Sequence, residues 1–139
     1  MNILIIDDDE EILSFMQDVL AGEGHRVALC SDGASGLGVL SSRRFDMVIS
    51  DLRMPRMHGE YVIEIIRAKY PVLPIVVLSG YVTDEKALIK QGVDRVLTKP
   101  VDVEELFAVV KDMAPPPVFK PFTNRRQRKK TLIDKKRKN

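Results

Sequence analysis

Residues 3–6 (ILII), 47–49 (MVI) and 75–78 (IVVL) are apolar without a break. A strand with one wet face alternates apolar and polar side chains. A run without alternation is covered on both sides, the mark of a parallel sheet wrapped by helices. The intervening segments supply those helices. Ile12, Phe15, Met16, Val19 and Leu20 recur at helical spacing. Asp9, Glu10 and Glu11 precede them and suit a helix N-terminus, while Gly22 and Gly24 end the helix. The same reading places strands at 2–6, 26–30, 45–50, 74–78 and 95–97. A second helix runs from the Asp32 cap to about Ser42, with Leu37 and Leu40 inward and Gly36 and Gly38 weakening it. A third runs from Gly59 to near Tyr70 with Val62, Ile63 and Ile66 inward, and a fourth over 83–91. A fifth follows the Asp102 cap, its stripe Val103, Leu106, Phe107, Val110 and Met113. Strand and helix alternate five times, so the expected fold is α/β, a (βα)5 doubly wound five-stranded parallel sheet.

Charge divides the chain. Residues 1–114 hold 12 Lys and Arg against 19 Asp and Glu, net −7; residues 115–139 hold 10 against 1, net +9. Ala114-Pro115-Pro116-Pro117 stops the last helix at this change of sign, because proline lacks an N–H and restricts the residue before it. The expected organisation is a body over 1–114 and a Pro-rich junction with a basic, disordered tail over 115–139. A lone cysteine, Cys30, excludes an internal disulfide and a thiolate metal cluster, and two histidines leave zinc short of ligands. The first apolar run closes on Asp7-Asp8-Asp9, unlike a signal peptide, and no stretch approaches the ~20 residues of a membrane span. The expected compartment is the cytoplasm.

In open parallel sheets, sites form outside the carboxyl ends of the strands. There the chain places Asp7, Asp8 and Asp9 after the first strand, Asp51 after the third, Ser79-Gly80 after the fourth and Thr98-Lys99 after the fifth. Carboxylates gathered at one rim repel each other unless a cation separates them. A donor set of oxygens suits a hard ion, magnesium before calcium. Lysine supplies a point charge for a phosphoryl oxygen, serine a hydrogen bond to another, and one carboxylate is left to attack phosphorus. Asp9 reads as a helix cap, Met54 and Pro55 as loop packing, Cys30 as buried, and His25 and His58 as surface residues.

Four motifs carry a resemblance: Ile5-Ile6-Asp7-Asp8-Asp9, Ser50-Asp51-Leu52-Arg53-Met54-Pro55 with Gly59, Val77-Leu78-Ser79-Gly80, and Leu97-Thr98-Lys99-Pro100. In order and spacing they resemble the receiver domain of two-component response regulators, over residues 2 to about 113. The resemblance implies a flavodoxin-like sheet of strand order 2-1-3-4-5, as in the chemotaxis regulators. It implies Asp51 as phosphoacceptor and Mg2+ held by Asp7, Asp8, Asp51 and the backbone carbonyl of Arg53. Ser79 becomes the switch hydroxyl and Lys99 the partner of the phosphoryl group, with a cis peptide before Pro100. The implied partners are a histidine kinase or histidine phosphotransfer protein, a downstream protein target and a second copy of the chain as a homodimer. The implied chemistry is self-phosphorylation and self-dephosphorylation, without turnover of metabolites.

Three positions depart from that family. Val96, three before Lys99, stands where many relatives carry an aromatic latch. Ser79 and Lys99 are 20 residues apart, shorter than the chemotaxis-type pattern, which implies a clipped fourth helix. Arg53, two after Asp51, overhangs the site and would alter phosphoryl lifetime. An alternative is a degenerate receiver scaffold that binds nucleic acid or an anionic surface through residues 120–138. That tail has no helix-turn-helix pattern and no aromatic interleaving. Another is a magnesium phosphatase using Asp7 and Asp9, against which the Asp51–Met54–Pro55 loop argues.

Overall fold

The computed structural model describes residues 1–80 and 84–115. The elements are β1 (Asn2–Ile6), α1 (Glu10–Gly22), β2 (Arg26–Cys30), α2 (Gly33–Ser42), β3 (Met47–Asp51), α3 (Gly59–Lys69), β4 (Ile75–Ser79), α4 (Glu85–Gln91), β5 (Arg95–Thr98) and α5 (Val103–Met113). All four strand pairings are parallel, and the order is β2-β1-β3-β4-β5. This is the doubly wound (βα)5 arrangement of the flavodoxin-like receiver fold.

The unbroken apolar runs follow from two cores rather than one. Ile3 and Ile5 of β1, Met47 and Ile49 of β3, and Val76 and Leu78 of β4 pack with α1 and α5. Their alternates Leu4, Ile6, Val48, Ile75 and Val77 pack with α2, α3 and α4. Period-two alternation is still present, but both faces are dry. β3 and β4 are buried along their whole length, whereas the edge strand β2 is buried only at Cys30.

Four helices begin on an aspartate. Asp9, Asp32, Asp84 and Asp102 cap α1, α2, α4 and α5 by accepting backbone N–H bonds. Asp9, expected as a cap, accepts from Glu11 N–H at 2.9 Å. Glycine at position 36 has a packing reason: a Cβ there would collide with the Ile6 side chain, so its absence lets α2 lie against β1. Gly38 meets nothing within 4 Å, and the structure offers no reason for it.

Several boundaries differ from the sequence expectation. β3 starts at Met47 rather than at 45. β3, β4 and β5 each end one residue later than expected, at Asp51, Ser79 and Thr98. Their ladders continue through polar residues, with Asp51 opposite Leu78 and Ser79 opposite Thr98. α1 buries Leu13, Met16 and Leu20, and leaves Phe15 41% exposed. Phe15 fits the helical period but belongs to a neighbouring stripe. α4 has only 7 residues and starts after Asp84, in keeping with the short interval; Thr83 lies outside the described residues. Along α5, Leu106 and Val110 are buried, and Val103, Phe107 and Met113 are half-buried. Among the described residues, no helix is long and apolar enough to cross a membrane.

Candidate functional site

The carboxyl edge of the sheet collects these residues because β3 and β4 end there on Asp51 and Ser79, and Asp7 and Lys99 follow the ends of β1 and β5. Asp7, the residue after β1, is fully buried; its N–H donates to Cys30 O at 3.1 Å and its Oδ1 accepts from Asp9 N–H at 2.9 Å. Asp51, the last residue of β3, is 6% exposed, and its Oδ1 accepts a long bond from Arg53 N–H at 3.4 Å. Lys99 follows β5 and is anchored by its N–H to Ser79 O at 2.8 Å. Its Nζ lies 2.8 Å from Asp7 Oδ2 and 3.3 Å from Asp51 Oδ2. Asp8 is exposed beside them, and one oxygen from each of Asp7, Asp8 and Asp51 falls within 4.8 Å of the others. Ser79 is buried at the end of β4. Together with Leu52, Arg53, Glu60, Asp84 and Leu88, it lines a cleft of about 280 Å3 beside the acids. The Lys99–Pro100 peptide is cis.

The segment carrying Asp51 into α3 is shaped by Gly59, read from the sequence as the opening of the helix and as a member of the motif that begins at Ser50. A Cβ at Gly59 would collide with the Asp51 carbonyl oxygen, and its N–H donates to Leu52 O at 2.8 Å. The loop therefore folds back onto the strand end through a contact that only glycine permits. The sequence signal was a glycine at a helix start that lacks a capping side chain. Within the loop, Arg56 adopts φ 70, a strained value for a side-chain-bearing residue, and Met57 N–H donates to Pro55 O at 2.8 Å. Leu52 and Met54 are buried packing residues. His58 is exposed and makes no cap bond. His25, half-buried, sits at the other edge with Nδ1 3.1 Å from the Met1 amine.

The electrostatics of the acidic group are unbalanced. Burial, and then the neighbouring charge of Asp7, push the Asp51 carboxyl above its ordinary range; Lys99 and the Arg53 N–H only partly oppose this. For Lys99, burial is the largest single influence and pulls it down, but Asp7 and Asp51 together outweigh it and hold the ammonium above its ordinary range. One cation thus serves two carboxylates while a third stands alongside. Asp7 Oδ2 is fully buried, and the Lys99 ammonium that meets it at 2.8 Å is shared with Asp51. Buried carboxylates that share a single counter-ion are costly to hold together unless a further cation joins them. Three carboxylates and no nitrogen or sulfur ligand suit a hard divalent ion, so the residues fit Mg2+.

Known proteins agree with this geometry. The profile of the response regulator receiver domain matches residues 3–111. The transcriptional regulatory protein GlrR of Escherichia coli K12 is 38% identical over 113 residues, covering 80% of this chain and 26% of that protein. The DNA-binding transcriptional regulator NtrC of the same organism is 32% identical over 108 residues, covering 76% and 23%. The chain spans about a quarter of the length of these curated relatives. Among solved structures, chemotaxis protein CheY4 of Vibrio cholerae superposes with a TM-score of 0.76 at 28% identity, covering 81% of this chain and 97% of that one. The response regulator TrrA of Thermotoga maritima, solved in complex with Mg2+ and BeF, gives the same TM-score of 0.76, identity of 28% and coverage of 81% and 97%.

Proposed function

The chain belongs to the response-regulator receiver family, and from that premise we propose that it takes a phosphoryl group from a histidine kinase or histidine phosphotransfer protein onto Asp51. Its Asp7, Asp8 and Asp51 cluster matches the acidic pocket that coordinates Mg2+ in receiver domains. As a receiver it catalyses only its own phosphorylation and dephosphorylation and signals through protein contacts. The observation that carries the reading is the shared Lys99 ammonium, 2.8 Å from Asp7 and 3.3 Å from Asp51, beside three converging carboxylates.

The assigned roles follow from that placement. Asp7, Asp8, Asp51 and the Arg53 carbonyl would hold Mg2+, which would supply charge neutralisation for the phosphoryl oxygens. A carboxylate oxygen of Asp51 attacks phosphorus; the P–N bond of the donor phosphohistidine breaks, and the imidazole leaves with the electron pair. The product is an acyl phosphate, adding about −1.5 to −2 charge at Asp51. Lys99 moves its pairing from the Asp51 carboxylate to the new phosphoryl oxygens, and the Ser79 hydroxyl donates to one of them. Drawing Ser79 inward shifts the segment after β4 and hence α4, giving two states to the surface formed by α4, β5 and α5. Val96 is half-buried and supplies no rotating ring to that surface, so the α4 movement is its main readout. Arg53, exposed at the cleft, governs water access to the acyl phosphate.

Intact-mass measurement after incubation with a small phosphodonor and Mg2+ tests the acceptor. The native chain should gain one phosphoryl group and Asp51→Asn none. Equal labelling of both would reject Asp51.

The further organisation we infer is a receiver body over 1–114, a tail over 115–139 and a cytoplasmic location, in keeping with relatives that are transcriptional regulators. The sign change from −7 to +9 favours an anionic partner, nucleic acid or an anionic surface, for residues 120–138. Binding of the full chain to an arbitrary-sequence DNA duplex should weaken steeply with salt; a salt-independent signal, or none, would reject a nucleic-acid role.

A further inference from the structure

The amino edge of the sheet, opposite the acids, carries an apolar trough. One part, of about 610 Å3, is lined by residues including Phe45, Tyr70, Val72, Leu73, Met113 and Pro115. It continues into a second part of about 500 Å3 that shares Phe45, Tyr70 and Leu73. The trough crosses beneath the sheet: Phe45, Tyr70 and Leu73 pack against the α2–α4 core, and Met113 against the α1–α5 core. Val72 stands 92% exposed at its lip. Arg44 and Lys69 also line it, and several of the other polar groups at its margin have partners within the body. The Tyr70 hydroxyl donates to Leu40 O at 2.9 Å, Asp46 accepts from Asn2 N–H at 2.7 Å, and the Arg43 guanidinium lies 5.3 Å over the Phe45 ring. What the trough offers an occupant is apolar surface.

The point at which the described chain ends selects that occupant. Pro115, the last described residue, itself lines the trough. The next seven residues, Pro116-Pro117-Val118-Phe119-Lys120-Pro121-Phe122, hold two of the chain's five phenylalanines and one charge, and they precede the basic run that starts at Arg125. At up to about 3.6 Å per residue, Phe119 reaches ~14 Å and Phe122 ~25 Å from Pro115. Five strands about 4.8 Å apart span ~19 Å, so the second ring can reach across the sheet. The prolines at 115, 116, 117 and 121 restrict φ and so reduce the entropy lost when such a segment is ordered.

We propose that residues 118–122 dock in this trough, with the Phe119 and Phe122 rings against Val72, Leu73 and Met113. Docking tethers the basic run to the edge of the body farthest from Asp51, so any anionic partner of the tail is held away from the phosphorylation site. The inference is independent of the phosphoacceptor reading, because it uses none of the residues at the carboxyl edge.

Nuclear Overhauser contacts in the methyl-labelled full chain test it. Contacts from the Phe119 and Phe122 rings to the methyls of Val72, Leu73 and Met113 are expected, and they should survive dilution. They should be lost in the Phe119→Ser/Phe122→Ser double variant, while methyl signals of Leu52 and Val77 near Asp51 stay in place. Val72→Glu, at an exposed position that leaves the core intact, should lose the same contacts. Contacts that disappear on dilution would put a second copy in the trough. No contacts in the native chain, with no methyl shift in the double variant, would leave it to another molecule. Either result overturns the proposal.

Discussion

Aspartates stand at both edges of the sheet and have opposite circumstances. At the amino edge, Asp46 accepts from Asn2 N–H at 2.7 Å and Asp94 from Ile75 N–H at 2.8 Å. Asp94 also pairs with Arg67 at 3.2 Å, while that guanidinium donates to Gly92 O, Tyr70 O and Pro71 O. At the carboxyl edge, one ammonium is shared by Asp7 and Asp51, and Asp8 adds a third carboxylate beside them. Acids matched to backbone donors hold strand ends in register. Acids that outnumber their donors are kept together against their own repulsion, and they are the ones able to take a cation or react. The ratio of donors to carboxylate oxygens separates the two roles where residue type does not.

That contrast can be broken most severely at Arg67. Arg67→Met removes five hydrogen bonds and should cost about 3 kcal/mol in urea unfolding. A loss below about 1 kcal/mol would show that polar contacts do little to hold the amino edge. Mg2+ at about 100 times its Kd should add about 2.7 kcal/mol to the unfolding free energy, since it binds only the folded site. The gain should persist in Asp94→Ala and vanish in Asp7→Asn; its survival in Asp7→Asn would displace the metal from this rim. Asp94→Ala should cost about 2 kcal/mol, because the Ile75 N–H loses a charged acceptor, and the urea midpoint reads it directly.

The smallest expected change has the opposite sign. Burial and the Asp7 charge hold the Asp51 carboxyl above its ordinary range, so the folded state keeps this proton to higher pH than the unfolded chain does. Its contribution to stability therefore falls as pH rises through the window just above the ordinary carboxylate range. Asp51→Asn without divalent ions should raise the unfolding midpoint slightly at neutral pH, with the gain fading as the solution is acidified. Destabilisation by Asp51→Asn under those conditions would mean that the acidic rim is not under electrostatic strain.

Much of this molecule was readable before folding. The unbroken runs at 3–6, 47–49 and 75–78 announced strands covered on both faces, and Asp7 and Asp51, just beyond the first two runs, announced an acidic rim. Asp9 and Asp102 were legible as caps because capping is local, one side chain reaching backbone two or three residues on. Phe15 was not, since a helical period fits more than one stripe and only the position of the sheet chooses Leu13 over it. Gly59 was missed as a shaping residue for the same reason: its constraint is contact with Asp51 O, eight residues back, and exists only once the loop closes.

Order along the chain thus determined the element types, the parallel sheet and which side chains could meet. Tertiary structure alone decided that Lys99 reaches both Asp7 and Asp51, that Asp7 Oδ2 is fully buried, and that the far edge is left apolar. The physical reason is range: periodicity, capping and turn chemistry act over a few residues, whereas charge repulsion, burial and steric exclusion depend on distances set by strands far apart in sequence.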